Sequence, residues 1–542
     1  MTSSLSKTAA LNKPPRSFWI SQPESLYWLA LFALCGIGLA LRLIDLGQLP
    51  AGLYRDEAMN ALDGLTAVSS GRFPLYFADN YGRGLFQEGL FVNLQGITSF
   101  LLGPSALAAR LPAALIGAVG IISVAFMARQ LFASRTLALI AAGLLAFSYW
   151  GINFSRIGFS AILVPTTLAL AVGLLVWANR SSSVLRVLGA GAFFGLGVYT
   201  YAAYRFAPLL AVVILTATWW ILRWPLQKGI RFASAFALGA TLTSLPFLLA
   251  IWREPRILTA RAQDVSLLSA NLPAAEILER LLTNLSLATG KFFFLGDINI
   301  RHNYGPYGVL SPLVALLFAA GIFMCVLWIA SYIRNGRRVG HASEYALGSV
   351  VALSGIIIMT LPEVLSADSV PHSLRSIGSQ PFVMTLAAVP VWIIIRQIRN
   401  PDSTKKAGTR WVAGILALLL ASAATFDMYR YFVAFRTSEE QRIAFDADLQ
   451  TMLVQAGEEG VGTLLLPYPQ QQAVIRYLNR DGTYPLKLIQ GLDDVQLGHP
   501  VWLRESDREL LEELSRQHPQ LQVSLEGGDE PPTYLEVLVP QK

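Results

Sequence analysis

Long apolar stretches alternate with short polar connections through most of this 542-residue chain. Between residues 26 and 430 the apolar runs are roughly 18 residues or longer, which is enough for a helix to cross a bilayer. The pattern predicts eleven membrane-spanning helices, near 26–46, 106–128, 136–152, 160–178, 187–204, 206–223, 232–252, 309–332, 344–361, 376–396 and 411–430. Two long segments, 47–105 and 253–308, interrupt the series. They are dense in aromatic, glycine and charged residues, which argues against disorder.

The chain changes character at residue 436 and from there resembles an ordinary soluble domain. Its pattern predicts helices near 437–453, 470–478 and 505–518, with strands at 461–466, 520–525 and 533–539. We therefore predict a polytopic α-helical membrane domain of about eleven transmembrane helices at 26–435. A small α/β domain at 436–542 follows it.

Composition and charge support a membrane protein and indicate its orientation. Of all residues, 54% are hydrophobic and 14% charged, whereas soluble proteins carry roughly 25% charged residues. The net charge of +7 does not indicate nucleic-acid binding, because Lys and Arg lie between the apolar runs rather than along one face. Their distribution predicts a cytoplasmic tail at 1–25, an uncleaved first span and an extracytoplasmic 436–542 domain. Both cysteines lie in predicted spans, so no disulfide framework is implied.

The first candidate site is the run Arg55-Asp56-Glu57, directly after the first span. Two carboxylates at an apolar boundary are costly unless they are solvated, paired or used. One could act as a general base toward an acceptor hydroxyl, and the other could hold a sugar, an acceptor or a divalent cation. The alternative is a solvated pair that Arg55 and Arg72 neutralise.

The second candidate group consists of arginines in short connections on the outer side: Arg156, Arg205 and Arg375. A guanidinium group at the level of the lipid head groups suits a phosphate, because it stays charged and donates paired hydrogen bonds. The alternatives are snorkelling to the interface or ion pairs with Glu57, Glu363 or Asp368.

The third candidate group lies in the second long segment, between Gly296 and Pro306. Hydrogen-bonding side chains are concentrated there in a turn-rich stretch: Asp297, Asn299, Arg301, His302 and Asn303. No histidine pair at ligand spacing and no cysteine cluster marks a metal site. Weaker candidates are Glu88, predicted on an amphipathic helix of the first long segment, Tyr201 in an aromatic run, and His372 close to Arg375.

In this order the motifs resemble the GT-C superfamily of membrane glycosyltransferases, and within it glycosyltransferase family 39, over about residues 30–380. The motifs that carry the resemblance are Asp56-Glu57-Ala58, Gly71-Arg72-Phe73-Pro74, Gln87-Glu88-Gly89-Leu90-Phe91, Leu102-Gly103-Pro104-Ser105, Ala109-Arg110-Leu111-Pro112, Phe154-Ser155-Arg156-Ile157-Gly158, Tyr199-Thr200-Tyr201 with Arg205, Gly296-Asp297 with Arg301-His302-Asn303, and Pro371-His372-Ser373-Leu374-Arg375.

The resemblance implies a sugar transfer outside the cytoplasm of a bacterial cell, in the plasma (inner) membrane. The donor would be a polyprenyl-phosphate-linked sugar, with Asp56 as the catalytic base and Glu57 orienting a substrate. The outer arginines would bind the phosphate leaving group, and a single displacement would invert the anomeric centre. The acceptor could be a lipid, a glycan or a protein. The rival hypotheses are a transporter or flippase for a lipid-linked or anionic substrate, and a scaffold that presents the 436–542 domain.

Overall fold

The computed structural model describes residues 24–78, 85–181, 183–270, 272–335, 341–398, 406–460, 462–496, 499–517, 519–526 and 534–538. All but the last two residues of the predicted cytoplasmic tail, 1–25, lie outside these ranges.

Helices dominate the chain up to residue 435. They are α1 (Glu24–Leu43), α2 (Arg55–Ser69), α3 (Gly89–Leu102), α4 (Ala106–Phe132), α5 (Arg135–Phe147), α6 (Tyr149–Phe154), α7 (Leu163–Arg180), α8 (Val184–Leu196), α9 (Ala207–Ile221), α10 (Leu226–Arg253), α11 (Arg256–Val265), α12 (Ala274–Gly290), α13 (Pro312–Arg334), α14 (His341–Val364), α15 (Gln380–Ile398) and α16 (Lys406–Tyr429). A π-helical turn, Arg430–Phe435, continues α16. A short hairpin, β1 (Tyr76–Ala78) and β2 (Phe86–Glu88), lies between α2 and α3.

Helices occupy all eleven predicted spans, nine of them as continuous helices, which confirms the fold class. Nine helical segments of the described chain are long and apolar enough to cross a membrane: 24–43, 106–132, 160–180, 202–221, 226–253, 312–334, 342–364, 377–398 and 411–435. The other two predicted spans contain α5 and α8, each of only 13 residues. Helix α5 ends where Ser148 starts α6, its side chain accepting a hydrogen bond from the backbone N–H of Gly151 at 2.9 Å. Apolarity alone does not reveal such a break.

The centre of the membrane domain is formed by α4, α5, α7 and α15, whose facing residues are buried. Small residues on these helices let the backbones approach, as is usual for packing inside a membrane. Large apolar side chains such as Leu29, Phe32 and Leu316 remain exposed on the helices around this centre. This distribution is the one expected of a bundle whose outer surface faces lipid.

The connection between α1 and α4, here called the first long connection, contains α2, α3 and the hairpin of β1 and β2. Helices α2 and α3 pack so closely that a Cβ atom on Gly64 would lie 2.1 Å from the carbonyl oxygen of Val92. The predicted amphipathic helix around Glu88 is wrong. Glu88 is instead the last residue of β2, opposite Tyr76 in an antiparallel pair, because Gly89 and the apolar run after it begin α3 only one residue later.

The segment after residue 435, here called the terminal domain, is a small α/β unit. Its elements are α17 (Glu439–Ala444), α18 (Ala447–Glu459), β3 (Thr463–Leu465), α19 (Pro469–Leu478), β4 (Lys487–Ile489), β5 (Pro500–Arg504), α20 (Arg508–Gln517), β6 (Gln522–Glu526) and β7 (Tyr534–Leu538). The strands form one mixed sheet in the order β4-β3-β5-β7-β6, with β4, β3 and β5 parallel. The prediction missed β4 and β5, since the first is only three residues long and Pro500 begins the second.

The terminal domain packs on the first long connection. Leu53, Ala58, Ala61 and Leu65 share one buried apolar cluster with residues of α18, α19 and β5. A polar bridge lies beside this cluster. Arg55 donates to Asp446 at 2.7 and 3.0 Å, and Arg504 donates to the same carboxylate at 3.2 Å. The terminal domain and the first long connection therefore lie on the same face of the helical bundle.

The connection between α10 and α13, here called the second long connection, presents an apolar stripe. Helix α12 exposes Leu278, Leu282 and Leu285, which are four and three residues apart and so lie on one face. A salt bridge between Arg280 and Glu276 lies outside that stripe. Such a helix is suited to lying in the membrane interface.

The docking of the terminal domain can be tested at Gly52, which has a φ of +78°. A Cβ atom there would lie 2.5 Å from both Ala447 Cα and the carbonyl oxygen of Phe445. We expect Gly52→Ala to lower the melting temperature in detergent and to expose the junction between the two domains to limited proteolysis.

Gly71→Ala is the matched control for this prediction. Gly71 also has a positive φ, +68°, and lies in the same connection, but nothing lies within 4 Å of the position of its Cβ. It should lose only the left-handed strain of about 1–2 kcal/mol. Equal losses in the two variants would contradict the docked arrangement.

Candidate active site

The segment that leads from α1 into α2 is held by buried arginines. Arg110, on α4, is completely buried and donates to the carbonyl oxygens of Pro50 at 2.7 Å and Gly52 at 2.8 Å. It also reaches the carbonyl oxygen of Leu46 at 3.4 Å. Since these carbonyls belong to an irregular stretch with few backbone partners, Arg110 determines the path that the chain follows into α2.

Arg156 holds the other side of the same stretch. It is fully buried and donates to the carbonyl oxygens of Leu41 and Leu49, both at 2.9 Å, and to the Tyr431 hydroxyl at 3.3 Å. Its guanidinium also lies 5.4 Å from the ring centroid of Tyr431. The predicted role of Arg156 as a phosphate ligand has no support here, because its donors already have acceptors and no part of it reaches solvent.

Glu57 is the ionic partner of Arg110. Its Oε1 accepts from Arg110 Nε at 3.1 Å and from the backbone N–H of Gly158 at 2.6 Å. Its Oε2 accepts from Arg110 Nη2 and from the backbone N–H of Tyr54, both at 3.1 Å. The carboxylate is fully buried. This geometry gives Glu57 a positioning role rather than contact with a substrate, and Arg110 occupies the place where a cation bound by Glu57 would lie.

Asp56 lies in the first turn of α2 and is half-buried, on the helix that Glu57 anchors. Its charge acts on Tyr54: burial, and after it the charge of Asp56, raise the pKa of Tyr54 to about 12, while the charge of Arg301 opposes the rise. The Tyr54 phenol is therefore neutral at physiological pH. The charges of Asp56 and Arg301, which are far apart in the sequence, thus both act on the Tyr54 ring.

Arg301 differs from the other predicted arginines. Its guanidinium carbon lies 3.8 Å from the ring centroid of Tyr54, a cation–π contact. Its Nε is buried and donates to nothing, and Arg301 has no acidic partner among the described residues. Arg301 therefore keeps hydrogen-bonding capacity for a ligand.

The remaining predicted arginines have ionic partners. Arg55 pairs with Asp446, Arg205 with Glu88 at 2.9 Å, and Arg375 with Asp368 at 2.9 Å. For Arg375, this is one of the ion pairs that sequence considerations left open. Tyr201 is 7% exposed within the apolar core of the bundle.

The loop at 296–308 is closed by its own side chains. Asp297 Oδ1 accepts from the backbone N–H of Asn299 at 2.9 Å, and Asn299 Oδ1 accepts from that of Arg301 at 3.1 Å. Asn303 donates to the carbonyl oxygen of Tyr307 at 3.1 Å. Asn299 and Asn303 therefore shape this loop, and through it they place Arg301.

The neighbouring helices hold this loop as well. Arg430, from the π-helical turn after α16, donates to Asn303 Oδ1 at 2.6 Å and to the carbonyl oxygen of Tyr304 at 2.7 Å. Asn153, on α6, donates to the carbonyl oxygen of Arg301 at 2.8 Å. A cavity of about 530 Å³ opens beside the loop, lined by Ile298, Tyr304, Tyr307, Phe426 and Tyr429 among others.

Two histidines that are 70 positions apart in the sequence meet in this region. His302 Nδ1 lies 2.9 Å from Asp297 Oδ2, and the His302 and His372 ring centroids are 4.8 Å apart. Burial lowers the pKa of His372 to about 2, so its ring is neutral. Burial alone would raise the pKa of Asp297, but the hydrogen bond with His302 brings it below its usual value. Among the described residues, Asp297, His302 and His372 are the group that could hold a metal ion.

The comparisons with known proteins agree with this architecture. A family model described as dolichyl-phosphate-mannose-protein mannosyltransferase matches residues 91–252, which excludes Asp56 and Arg301. ArnT from Cupriavidus metallidurans bound to undecaprenyl phosphate has a TM-score of 0.57 at 14% identity, covering 94% of this chain and 97% of that chain. The chain shares the fold of ArnT. The resemblance predicted from the motifs is thereby confirmed.

Two further comparisons complete this result. ArnT from Cupriavidus metallidurans in the apo state has a TM-score of 0.53 at 13% identity, covering 95% of this chain and 98% of that chain. The archaeal oligosaccharyltransferase AglB from Archaeoglobus fulgidus, in complex with an inhibitory peptide and a dolichol-phosphate, has a TM-score of 0.48 at 14% identity, covering 84% of this chain and 63% of that chain. No curated protein matches the sequence significantly.

Sequence considerations missed several charged residues of this chain. Lys291, at the end of α12, is fully buried and pairs with the equally buried Glu363 of α14, and it also donates to Ser376. Arg110 and Arg430 lie in predicted spans or at their ends. The rule that ionisable residues inside a membrane have partners would have drawn attention to them.

The anchoring of α2 can be tested at the Glu57–Arg110 pair. We expect Glu57→Gln to destabilise the protein by about 3–5 kcal/mol, because it leaves the Arg110 charge buried without its counterion. The measurement is thermal unfolding in detergent, followed by size-exclusion chromatography.

Glu440→Gln, at an exposed glutamate of the terminal domain, is the control and should unfold like the wild type. An unchanged melting temperature in Glu57→Gln would contradict an anchoring role for the pair.

Proposed function

We propose that the chain transfers a sugar from a polyprenyl-phosphate-linked donor to an acceptor on the extracytoplasmic face of a bacterial plasma membrane. The resemblance to GT-C glycosyltransferases supports this proposal, and the matching family model and the ligand of the similar ArnT structure both involve polyprenyl phosphates. A transporter has no such support from the comparisons. The sugar is a hexose or a pentose, and the acceptor is a lipid, a glycan or a protein.

The observation that carries the proposal is the position of Asp56. Its neighbour Glu57 is locked by Arg110, so the first turn of α2 presents Asp56 in a fixed place and half-buried. A carboxylate held in this way suits a general base, because only small movements are needed when the acceptor hydroxyl arrives. No nucleophilic side chain of the enzyme is required for transfer by a single displacement.

In the proposed reaction, Asp56 accepts the proton of the acceptor hydroxyl as that oxygen attacks the anomeric carbon. The bond between this carbon and the phosphate oxygen breaks, and the polyprenyl phosphate leaves with the bonding electron pair. The new glycosidic bond forms on the opposite face, so the anomeric configuration inverts. Negative charge grows on the phosphate oxygen during this step and calls for a nearby cation.

We assign that cation as Arg301. The other predicted arginines pair with carboxylates or donate to backbone carbonyls. Among the described residues Arg301 has no carboxylate partner, and its buried Nε has no acceptor. Tyr54 stacks with its guanidinium and places it near the helix that carries Asp56. A guanidinium group can donate two parallel hydrogen bonds to a phosphate, which also fixes the direction of the leaving group.

The orientation follows from the distribution of charge. Lys and Arg in the short connections place the N-terminus in the cytoplasm. An odd number of spans, nine or eleven, then places the terminal domain and both long connections outside. The exposed leucines of α12 suit contact with the lipid interface, where the tail of the donor would enter.

The base assignment predicts that Asp56→Asn lowers the transfer rate by about 10²–10⁴-fold, because the amide cannot accept the proton. The measurement is sugar transfer by purified protein in lipid nanodiscs, supplied with polyprenyl-phosphate sugars and with acceptors identified by glycan and lipid profiling of a deletion strain.

Asp63→Asn is the matched control, since Asp63 lies on the same helix seven residues further on and is also half-buried. It should retain the wild-type rate. Full activity in Asp56→Asn with a stable fold would refute the base assignment.

The phosphate assignment predicts that Arg301→Ala raises the apparent KM for the donor and lowers kcat, while Arg301→Lys recovers part of both. A guanidinium bound to phosphate contributes about 1.5–3 kcal/mol as a charged hydrogen bond, or roughly 10–150-fold. Arg436→Ala removes a half-exposed arginine that pairs with Asp45, and it should not change the kinetics. Equal kinetics in Arg301→Ala and wild type would refute the assignment.

A further inference from the structure

Asp297, His302 and His372 form a compact group of buried side chains at the junction of two connections. Asp297 and His302 belong to the loop after α12, and His372 belongs to the connection between α14 and α15. Each side chain offers one ligand atom, and these atoms all lie within 4.8 Å of one another. Asp297 and His302 are each 4% exposed, and His372 is half-buried.

The composition of this group is that of a metal site. Two imidazoles and one carboxylate are the ligands that Zn²⁺ and similar ions use in proteins. Bonds of about 2.0–2.2 Å would require the most distant pair of ligand atoms to converge by roughly 1–1.5 Å, which side-chain rotations can supply. Three protein ligands also leave a fourth tetrahedral position for water.

A second observation points to a ligand at this group. The Nδ1 atom of His372 is buried and has no hydrogen-bond partner. A buried polar atom without a partner is unfavourable, so such an atom in a folded protein calls for an explanation. The hydrogen bond between Asp297 and His302 accounts for two members of the group without a metal, but it leaves His372 Nδ1 unexplained.

The surroundings of Asp297 also suit a ligand. Its Oδ1 accepts from the backbone N–H of Asn299 at 2.9 Å, and its Oδ2 accepts from that of Ser373 at 2.6 Å. Such outer hydrogen bonds orient the ligands of metal sites. Phe154 stacks on His302 with ring centroids 5.4 Å apart, which limits the rotation of that imidazole.

We propose that Asp297, His302 and His372 bind one divalent transition-metal ion of the Zn²⁺ type, and that this ion ties the loop at 296–308 to the connection between α14 and α15. Arg301 precedes His302, so the ion fixes the position of the proposed phosphate-binding arginine. The site is separate from the Asp56 carboxylate and takes no part in the bond changes of sugar transfer. Its existence does not depend on the proposed function.

The test measures metal content in the full-length protein purified without chelators. Inductively coupled plasma mass spectrometry should find about one Zn²⁺ per chain. His372→Ala and Asp297→Asn should each lower that content at least fivefold. His499→Ala, at an exposed histidine of the terminal domain, should retain it. Metal-depleted protein given Co²⁺ should show the visible absorption bands of a tetrahedral site, and His372→Ala should not.

A measurement on the wild type keeps the test decisive if these variants do not fold. A chelator should lower the melting temperature, and Zn²⁺ should restore it where Mg²⁺ does not. The proposal would be overturned if the purified wild type contained no Zn²⁺, showed no Co²⁺ absorption bands and did not change its melting temperature when Zn²⁺ is added. Metal retained at full content in a folded His372→Ala would also overturn it. Because none of these readouts measures sugar transfer, a negative result leaves the assignment of Asp56 unaffected.

Discussion

The buried ion pair between Arg110 and Glu57 is the interaction on which the rest of the site depends. Removing two charges from water is costly, and the pair is stable only because its remaining donors and acceptors are satisfied as well. Carbonyls of the stretch after α1 and the backbone N–H groups of Tyr54 and Gly158 meet this need. The pair thus joins α4, the start of α2 and the segment after α6. This junction determines the position of Asp56 in the first turn of α2.

Other buried arginines around the site also hold backbone segments in place. Arg156 and Arg430 are buried and donate chiefly to backbone carbonyls of irregular segments. Such segments lack the regular backbone pairs of helices, so side chains must supply the missing donors. Most of the arginines near the site therefore have a structural role. Few remain available to bind a substrate, and Arg301 is one of these because it has no carboxylate partner among the described residues and its buried Nε has no acceptor.

The sequence predicted the architecture well, because bilayer thickness limits what a long apolar run can become. Every predicted span is helical, and the last part of the chain is an α/β domain. The break between α5 and α6 escaped prediction, since one serine cap decides it. Strands β1, β2 and β4 were also missed, because three residues are too few to show a period.

Side-chain roles were predicted less well than helices. Adjacent acids at 56 and 57 looked equivalent in sequence, and only packing against Arg110 separates them. His302 and His372 showed no ligand spacing, because the pair forms through contact between two distant connections. Pairings of this kind depend on tertiary structure and leave no periodic signal in a single sequence.

The shared apolar cluster between α2 and the terminal domain has a consequence for biosynthesis. Leu53, Ala58 and Leu65 emerge early, whereas the residues that cover them belong to the end of the chain. Until α18, α19 and β5 have been translated, this apolar surface is not buried. A chain truncated before α18 would expose it to the proteases and chaperones that recognise unfinished proteins.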